Sequence, residues 1–319
     1  MTSRKRMTRI TWQGGALIAA GSLWLAAAGY QDQQQGTKVV KIQTLNVRDI
    51  LYLLTGGGGN TLALMRDDGV VVIDTKRPGW GRPILDAAQA VTDRPVAMII
   101  NTAADIDHTG GNVDFPSATE IVAHENTKAK MQKMDIFKGP NARFLPNRTV
   151  TDRMSLLDGP DRVELYYFGR GHTDGDLVVV FPEKHLAHFG DLFPWKGAPV
   201  IDTANGGSGV AFPQTLARAV AEIKGVTRVT TGHDEASAIP RDPDSGSAIF
   251  ANPRTMKWDD LQEYADFNRD FLAAVQDAIK AGKAAAEAAA TLRLPDRYSH
   301  YDMQHAAANV AAIYRELGK

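Results

Sequence analysis

Short apolar runs separated by polar or glycine-containing turns recur through most of the chain. Runs of four to eight residues rich in valine, leucine and isoleucine are typical of strands in a buried sheet. They occupy residues 39–45, 51–54, 61–65, 70–73, 95–100, 120–123, 163–168 and 177–181, and two further runs end near 188 and 230. Residues 39–45 alternate apolar and polar side chains, which predicts a strand with only one buried side.

Between and after these runs, apolar positions recur with a helical period. This period predicts helices at 82–91, 125–134, 213–224, 255–281, 284–292 and 304–317. The segment 137–151 contains Gly-Pro and Pro-Asn pairs and predicts a long connection between two halves of the chain. We expect the helices of 255–319 to cover one face of the sheets, so that 39–319 form a single domain.

Polar side chains with metal-binding chemistry follow the apolar run 95–100. Asp105, Asp107 and His108 stand within four positions, and Gly110 and Gly111 end the segment. A loop after a strand is where open α/β sheets place their ligands. A divalent cation between the two carboxylates would remove their repulsion and accept the imidazole nitrogen. The alternative is a solvated acidic turn in which Asp107 caps the next helix.

Three later loops supply similar side chains. His172 lies in Gly-His-Thr-Asp-Gly-Asp after the run 163–168, Asp191 follows the run that ends near 188, and His233 follows the run that ends near 230. Each stands just beyond a predicted strand, so the three side chains are candidates for the same site as the aspartates.

The order of these four loops, D-x-D-H, G-H-T-x-G-D, G-D and T-G-H, resembles the metallo-β-lactamase fold superfamily over residues 39–239. The resemblance implies an α/β fold, a four-layer αββα sandwich with the metal site at the edge of two mixed sheets. It also implies a hydrolase in which a metal-bound hydroxide attacks an ester, lactone or lactam-type carbonyl of a small-molecule substrate. The substrate itself does not follow from the fold.

The first motif departs from the family's usual H-x-H-x-D-H. Ala103 and Asp105 stand where the family has its two leading histidines. The resemblance implies a complete second site made by Asp107, His108, His233 and Asp191. The first site would keep only Asp105, His172 and a share of Asp191. We therefore expect one tightly bound divalent metal and a second, weaker one.

The resemblance also suggests roles and a metal. Asp107 would bind and orient, and Asp105 would hold a weaker cation or act directly on protons, so both are predicted catalytic residues. Zinc is the first expectation, and the oxygen-rich ligand set moves the preference towards manganese or iron. Two alternatives are a non-catalytic metal or ligand carrier and an iron-dependent oxidoreductase.

Several other polar residues need an interpretation. Lys196 follows Asp191 in a polar loop, 193–209, and is a candidate for binding a substrate carboxylate. Asp74, after the run 70–73, is either a support for the metal loops or a helix cap. The glycines of 56–59 predict a hairpin-like loop that could act as a flap. The remaining histidines at positions 124, 185, 300 and 305 are interpreted as structural or surface residues. His188 is left out of the site because strand alternation places it and Asp191 on opposite faces.

Composition and the amino terminus limit the partners and the cellular location that we expect. The 319 residues carry a formal net charge of −1 and no cysteine, which argues against nucleic acid as a partner and excludes thiolate ligands. A basic head, an apolar run at 14–29 and Ala26-Ala-Ala28 have the layout of a signal peptide at 1–28, followed by a linker at 29–38. We expect an exported, periplasmic or secreted protein without a stable membrane anchor; the alternative is a permanent anchor.

Overall fold

The fold is built on two mixed β-sheets, seen in a computed structural model that describes residues 41–44, 50–233 and 255–319. The first sheet has seven strands in chain order. They are β1 Lys41–Thr44, β2 Leu51–Thr55, β3 Thr61–Arg66, β4 Gly69–Ile73, β5 Val96–Asn101, β6 Glu120–His124 and β7 Arg148–Val150. The pairs from β1 to β4 are antiparallel, and the pairs from β4 to β7 are parallel.

The second sheet has six strands in the reverse order, from β13 to β8. They are β8 Arg153–Leu156, β9 Val163–Tyr166, β10 Val178–Phe181, β11 Leu186–His188, β12 Arg228–Thr230 and β13 Met256–Lys257. Only β11 and β12 pair in parallel. Seven α-helices lie in the described residues: α1 Gly81–Gln89, α2 Ile106–Thr109, α3 Glu125–Met131, α4 Phe212–Glu222, α5 Trp258–Lys280, α6 Ala285–Ala290 and α7 Ala306–Glu316.

The alternation of side chains along the strands separates three apolar interiors. In β4, Val70 and Val72 pack with Ile84 of α1, whereas Val71 and Ile73 pack against residues of the second sheet. In β10, Val179 faces the first sheet and its neighbours face the helices α4 to α7. Because successive strand residues point to opposite faces, each sheet is buried on both sides. The result is the predicted αββα sandwich, and the fold prediction is confirmed.

The structure differs from the sequence-based expectation in the connection between the halves. Residues predicted as a loop at 137–151 end in β7, and β8 follows almost at once in the other sheet. These strands are only three and four residues long and four of their seven side chains are exposed, so they carry little hydrophobic pattern. No helix among the described residues combines the length and apolarity needed to cross a bilayer. The predicted signal peptide and linker lie outside the described residues.

Candidate metal centre

The first candidate loop begins where β5 ends. Asn101 closes the strand, and α2 starts directly after Asp105. The side chain of Asn101 donates to the carbonyl of His108 over 3.3 Å and exchanges hydrogen bonds with Asn112. These bonds fold the segment back on the end of the strand, so that Asp105 and His108 are presented at the sheet edge.

The structure brings five of the six predicted ligands into two overlapping groups. One group contains His108, Asp191 and His233, and the other contains Asp105, His172 and Asp191; within each group the donor atoms lie within 4.8 Å of one another. Asp191 belongs to both groups, as a bridging carboxylate would. Imidazole nitrogens and carboxylate oxygens are the donors that zinc and related divalent cations take in proteins.

The contacts inside these groups fit a cation better than they fit direct hydrogen bonding. Nε2 of His108 lies 3.3 Å from Oδ2 of Asp191, and Nε2 of His233 lies 3.1 Å from its Oδ1. Yet neither the buried Nε2 of His108 nor the buried Oδ1 of Asp191 forms a hydrogen bond. Buried polar atoms without a partner are costly. A cation between the nitrogens and the carboxylate would satisfy them, so the residues present fit a divalent metal.

The electrostatics of the cluster point the same way. Burial lowers the pKa of His108, but Asp191 and Asp74 outweigh this and raise the pKa well above its usual value. The pKa of His172 is also raised well above its usual value: burial lowers it, but Asp191 and Asp105 outweigh the effect of burial. For Asp191, burial raises the pKa, whereas His108, His233 and His172 lower it well below its ordinary value. Positive charge at the imidazoles is therefore strongly favoured, and a bound cation supplies that charge without a proton.

Asp74 supports His108 from behind. It is fully buried at the end of β4 and accepts hydrogen bonds from the amide and hydroxyl of Thr102 and from Nδ1 of His108, the last over 2.7 Å. This bond keeps a proton on Nδ1 and leaves the Nε2 lone pair for a metal. Of the two interpretations left open for Asp74, the structure supports the first. Burial raises the pKa of Asp74, and His108 followed by His188 lowers it to about 2.

His188 also belongs to this support, although the sequence did not indicate it. Its Nδ1 lies 2.9 Å from the hydroxyl of Thr230, and its Nε2 lies 3.8 Å from Oδ2 of Asp74. Strand parity placed His188 and Asp191 on opposite faces, but β11 ends at His188 and Asp191 sits in a short 3-10 turn. Side-chain alternation applies only within a strand, so it does not predict how His188 and Asp191 are oriented relative to each other.

His172 is oriented by the loop that follows Asp191. Its Nδ1 lies 2.9 Å from the carbonyl of Val200, and its Nε2 lies 3.0 Å from Asp105. Asp176, at the end of the same motif, accepts from the Thr173 amide over 2.8 Å. Burial raises the pKa of Asp176 to about 6 against the opposing effect of His172. Asp176 thus holds the loop that carries His172.

The glycine loop at 56–59 is tied to the centre on two sides. Its last glycine, Gly59, donates to the carbonyl of Asp107 over 3.0 Å and accepts from the buried Lys76 over 2.7 Å. The next residue, Asn60, bonds through its amide to Gly232 and through its side chain to Thr231. The loop therefore joins the segment of His108 to the segment of His233, an arrangement that its composition did not predict.

A pocket of about 260 Å³ opens over both donor groups. It is lined by Asp105, Asp107, His172, Asp191, Pro194, Val200 and His233. Asp107 lies in this pocket but in neither donor group of the described residues, and its Oδ2 is 4.0 Å from the guanidinium of Arg77. Its role as a ligand stays a prediction, and the structure provides two donor groups without it.

Lys196 is placed differently from its predicted role. It does not line the pocket. Its Nζ lies 2.6 Å from Asp260 and 3.4 Å from Glu263, both on α5. Burial lowers the pKa of Lys196, and the two carboxylates more than restore it, so the pKa is raised. Since its charge is already compensated by α5, this placement does not support a contact with substrate, and Lys196 instead joins the pocket loop to the helix.

The other histidines interpreted as structural have structural contacts. His124 stacks on Tyr167 with ring centroids 4.1 Å apart and lies 2.9 Å from the carbonyl of Thr151. His185 takes a left-handed backbone conformation, and its Nδ1 lies 2.6 Å from the carbonyl of Gly225. Neither His300 nor His305 lies among the residues lining the pocket.

Comparison with known proteins decides the family. The family model of the metallo-beta-lactamase superfamily matches residues 54–233, which include every candidate ligand. The chain belongs to the metallo-β-lactamase superfamily. Solved structures agree on the fold: a metallo-beta-lactamase from Pontibacter korlensis has a TM-score of 0.56 at 17% identity, covering 72% of this chain and 99% of its own. The DIM-1 metallo-beta-lactamase has a TM-score of 0.55 at 14% identity, covering 72% and 97%.

Relatives by sequence are diverse. The type 2 metallo-beta-lactamase of Elizabethkingia meningoseptica is 28% identical over 72% of this chain and 90% of its own. The alpha subunit of the 2,4-dinitroanisole O-demethylase of Nocardioides sp. is 33% identical over 46% of this chain, and the match spans only 44% of that subunit. The hydroxyacylglutathione hydrolase of Polaromonas sp. is 27% identical over 48% of this chain and 56% of its own. This superfamily member thus has hydrolase-like relatives with unlike substrates.

Proposed function

We propose that this chain is an exported metal-dependent hydrolase that cleaves an ester, lactone or lactam-type bond of a small molecule. The observation that carries the proposal is the pair of donor groups sharing Asp191 at the floor of an open pocket. Two of the relatives, a metallo-beta-lactamase and a hydroxyacylglutathione hydrolase, are named for hydrolysis. The third, an O-demethylase subunit, is named for a different reaction, so sequence similarity alone does not assign the substrate.

The residues divide into holding and acting groups. His108, His233 and Asp191 would hold one divalent cation, zinc being our first expectation, and Asp105, His172 and Asp191 a weaker second one. When bound, such a cation lowers the pKa of a water molecule and stabilises negative charge on the substrate oxygen.

Asp107 lines the pocket outside both groups and would take a proton from a water molecule and pass it to the leaving group. His172 keeps Asp105 in position through the 3.0 Å contact between Nε2 and Oδ2. Asp74 holds the proton of His108 on Nδ1, which leaves Nε2 open towards the pocket floor.

The function is tested by a hydrolysis screen across ester, lactone and lactam substrates with the mature protein. We expect turnover that a chelator abolishes and added zinc or manganese restores. Binding of metal without turnover of any substrate would favour the carrier alternative. His233→Ala and Asp191→Ala should abolish both turnover and metal retention, whereas the surface variants His185→Ala and His300→Ala should stay within a few-fold of the parent.

Asp107→Ala separates the two roles considered for that residue. If Asp107 handles protons, kcat should fall by about 10²–10⁴-fold while metal content is unchanged. A fall in metal content instead would make Asp107 a ligand, as the family motif implies.

Export is a separate part of the proposal. It is supported by the basic residues at 4–6, the apolar run at 14–29 and the small residues at 26–28. Mass spectrometry of the protein purified from its host should give an amino terminus at Gly29 or Tyr30. An intact Met1 on membrane-held protein would contradict it.

A further inference from the structure

The loop after Asp191 forms one wall of the pocket and orients His172. Pro194 and Val200 of this loop line the pocket. The carbonyl of Val200 lies 2.9 Å from Nδ1 of His172, and the amide of Asp202 donates to the carbonyl of His172 over 2.9 Å. Because a carbonyl can only accept, the first contact keeps a proton on Nδ1 and leaves the Nε2 lone pair for the first donor group. The loop therefore decides how His172 is presented.

This pocket loop, residues 194–210, has little regular structure of its own. A 3-10 turn at Thr203–Asn205 is the one helix or strand that it contains. Buried backbone groups without regular partners must form their hydrogen bonds elsewhere. Here the segment before α7 supplies them: the amide of Ala198 donates to the carbonyl of Asp302 over 2.7 Å, and the amide of Asp302 donates to the carbonyl of Lys196 over 3.1 Å. The C-terminal part of the chain thus holds the loop in place.

Asn309 of α7 fixes the peptide group directly before Val200. It is 4% exposed, and its Nδ2 donates to the carbonyl of Pro199 over 2.7 Å. Since Pro199 is itself buried, loss of this donor would leave a buried carbonyl unsatisfied. The peptide unit that joins Pro199 to Val200 is planar, so fixing its oxygen fixes the direction in which Val200 continues. One hydrogen bond therefore connects Asn309 to the backbone that orients His172.

A second set of contacts joins α7 to the far end of the pocket loop. The carboxylate of Glu316 accepts a hydrogen bond from the hydroxyl of Ser208. A Cβ atom at Gly209 would lie within 2.6 Å of Ile313, so the loop and the helix are in close contact. The family model ends at residue 233, and α7 lies well beyond it. The wall of the pocket is therefore held by a part of the chain outside the family match.

From these contacts we infer that Asn309 is a positioning residue for His172 and that α7 supports the first donor group from behind. Through Pro199 and Val200, Asn309 holds the carbonyl that accepts from Nδ1 of His172. Loss of the Asn309 bond frees that carbonyl, so Nε2 of His172 no longer has one preferred direction and the group binds a cation more weakly. The inference rests on the proposed function only in that the site holds metal, and it does not depend on which bond is cleaved.

Asn309→Leu tests the inference through metal binding. Leucine has nearly the shape of asparagine but no donor, so the bond to Pro199 is lost and the helix is kept. Cobalt(II) is titrated into the metal-free protein, and its visible absorption gives the affinities of the first and second equivalents. We expect the second equivalent to bind about tenfold more weakly than in the parent, the lower end of the loss that removal of a ligand's supporting partner causes. The first equivalent, held by His108, Asp191 and His233, should bind as in the parent.

Hydrogen exchange of the metal-free protein gives a second readout that needs neither metal nor turnover. The amides of Ala198 and Asp202 are both hydrogen-bonded in the parent. Peptides that contain them should exchange faster in Asn309→Leu, because the loop has lost its central attachment to α7. Asn309→Asp keeps the size of the side chain and replaces the donor by an acceptor. It should show the same changes, and it serves if the leucine variant does not fold.

Tyr314→Phe is the matched control. Tyr314 lies on the same helix, is 5% exposed, and donates through its hydroxyl to the carbonyl of Lys283 over 2.9 Å. The variant loses one buried side-chain bond to a backbone carbonyl, as Asn309→Leu does, but none to the pocket loop. Its melting temperature should fall by a similar amount, while exchange in the loop and both cobalt affinities should match those of the parent.

The possible results separate the inference from the proposed function. Unchanged loop exchange or unchanged cobalt binding in Asn309→Leu, or an equal effect in Tyr314→Phe, would overturn the inference. So would a parent that binds no second equivalent, or unfolding of both Asn309 variants. Weaker binding of the second cobalt in a protein that hydrolyses no substrate of the screen would refute the proposed function alone. Hydrolysis by the parent with unchanged cobalt binding in Asn309→Leu would refute the inference alone.

Discussion

Replacing Asp74 by asparagine tests how the centre controls its most buried ligand. Oδ1 of Asp74 accepts from the amide of Thr102 over 2.8 Å, and Oδ2 accepts from Nδ1 of His108 over 2.7 Å. An asparagine has one oxygen and one NH₂ group in place of the two oxygens. If its oxygen serves the Thr102 amide, its NH₂ faces Nδ1 of His108, which must then give up its proton. The proton moves to Nε2, the atom that faces Asp191.

The size of the effect follows from these contacts. Loss of a partner that fixes the tautomer of a metal-binding histidine costs about tenfold to hundredfold in affinity, which corresponds to about 1.4–2.7 kcal/mol. The buried bond between His108 and the carboxylate is charge-assisted, so the free energy of unfolding of the metal-free protein should also fall, by about 1.5–3 kcal/mol. Both losses should appear together, because one hydrogen bond causes both.

The assay is competition for zinc between the protein and a chromophoric chelator at neutral pH, with denaturant unfolding of the metal-free form alongside. Thr102→Val is the matched control: it removes the hydroxyl that donates to Oδ2 but keeps the amide bond and the contact with His108. It should cost about 1 kcal/mol of stability and leave zinc affinity within about threefold on the same reasoning. If Asp74→Asn binds zinc as the parent does, or if Thr102→Val weakens zinc equally, the tautomer argument is refuted.

Three further predictions concern other parts of the centre. Gly59→Ala would bring a Cβ atom within 2.6 Å of the His108 ring. We expect the variant to lose metal in elemental analysis and to be about 1–3 kcal/mol less stable in denaturant unfolding. A variant that keeps its metal and its full stability would contradict this. Ala103→His should add a donor to the first group, so that metal content after dialysis against a weak chelator rises from about one to about two per chain; two tightly held metals in the parent would refute it. Lys196→Ala should lower the melting temperature by removing the partly buried ion pair with Asp260. Because Lys196 does not line the pocket, KM should stay within about threefold, the small effect expected of an ion pair away from the site; a large rise in KM would restore Lys196 as a substrate contact.

The sequence predicted the fold because its pattern is strong where the sheets are buried. Val70–Ile73 and Val178–Phe181 are apolar at every position, and both strands lie between two apolar interiors. The helix α5 also matches its predicted extent closely, since a long amphipathic stripe leaves little choice. The short strands β7 and β8 were missed, because they are held by pairing with neighbours and not by a pattern of their own.

The candidate ligands were found because each stands just after a strand, where the chain must turn. Their grouping could not be read from the sequence. That Asp191 joins both donor groups, and that Asp107 stands apart from them, depends on how the two sheets meet. The supporting contacts are harder still: Asp74 lies 34 residues from His108, and His188 lies 42 residues from Thr230. The end of a strand marked Asp74 as a possible support, but no local signal marked His188. Lys196 shows that proximity in sequence does not fix contacts in space: it follows Asp191 closely along the chain, yet its ion pairs are with Asp260 and Glu263 of α5.

Ala103 connects the departure in the motif to the geometry of the site. It is only 2% exposed and carries no donor atom, so the first donor group receives no ligand from this position. All three members of the first donor group, Asp105, His172 and Asp191, line the pocket. Three protein donors with one open position are what catalytic zinc sites use. We therefore expect the alanine to weaken this group's affinity for a metal without removing its capacity to bind one beside the pocket.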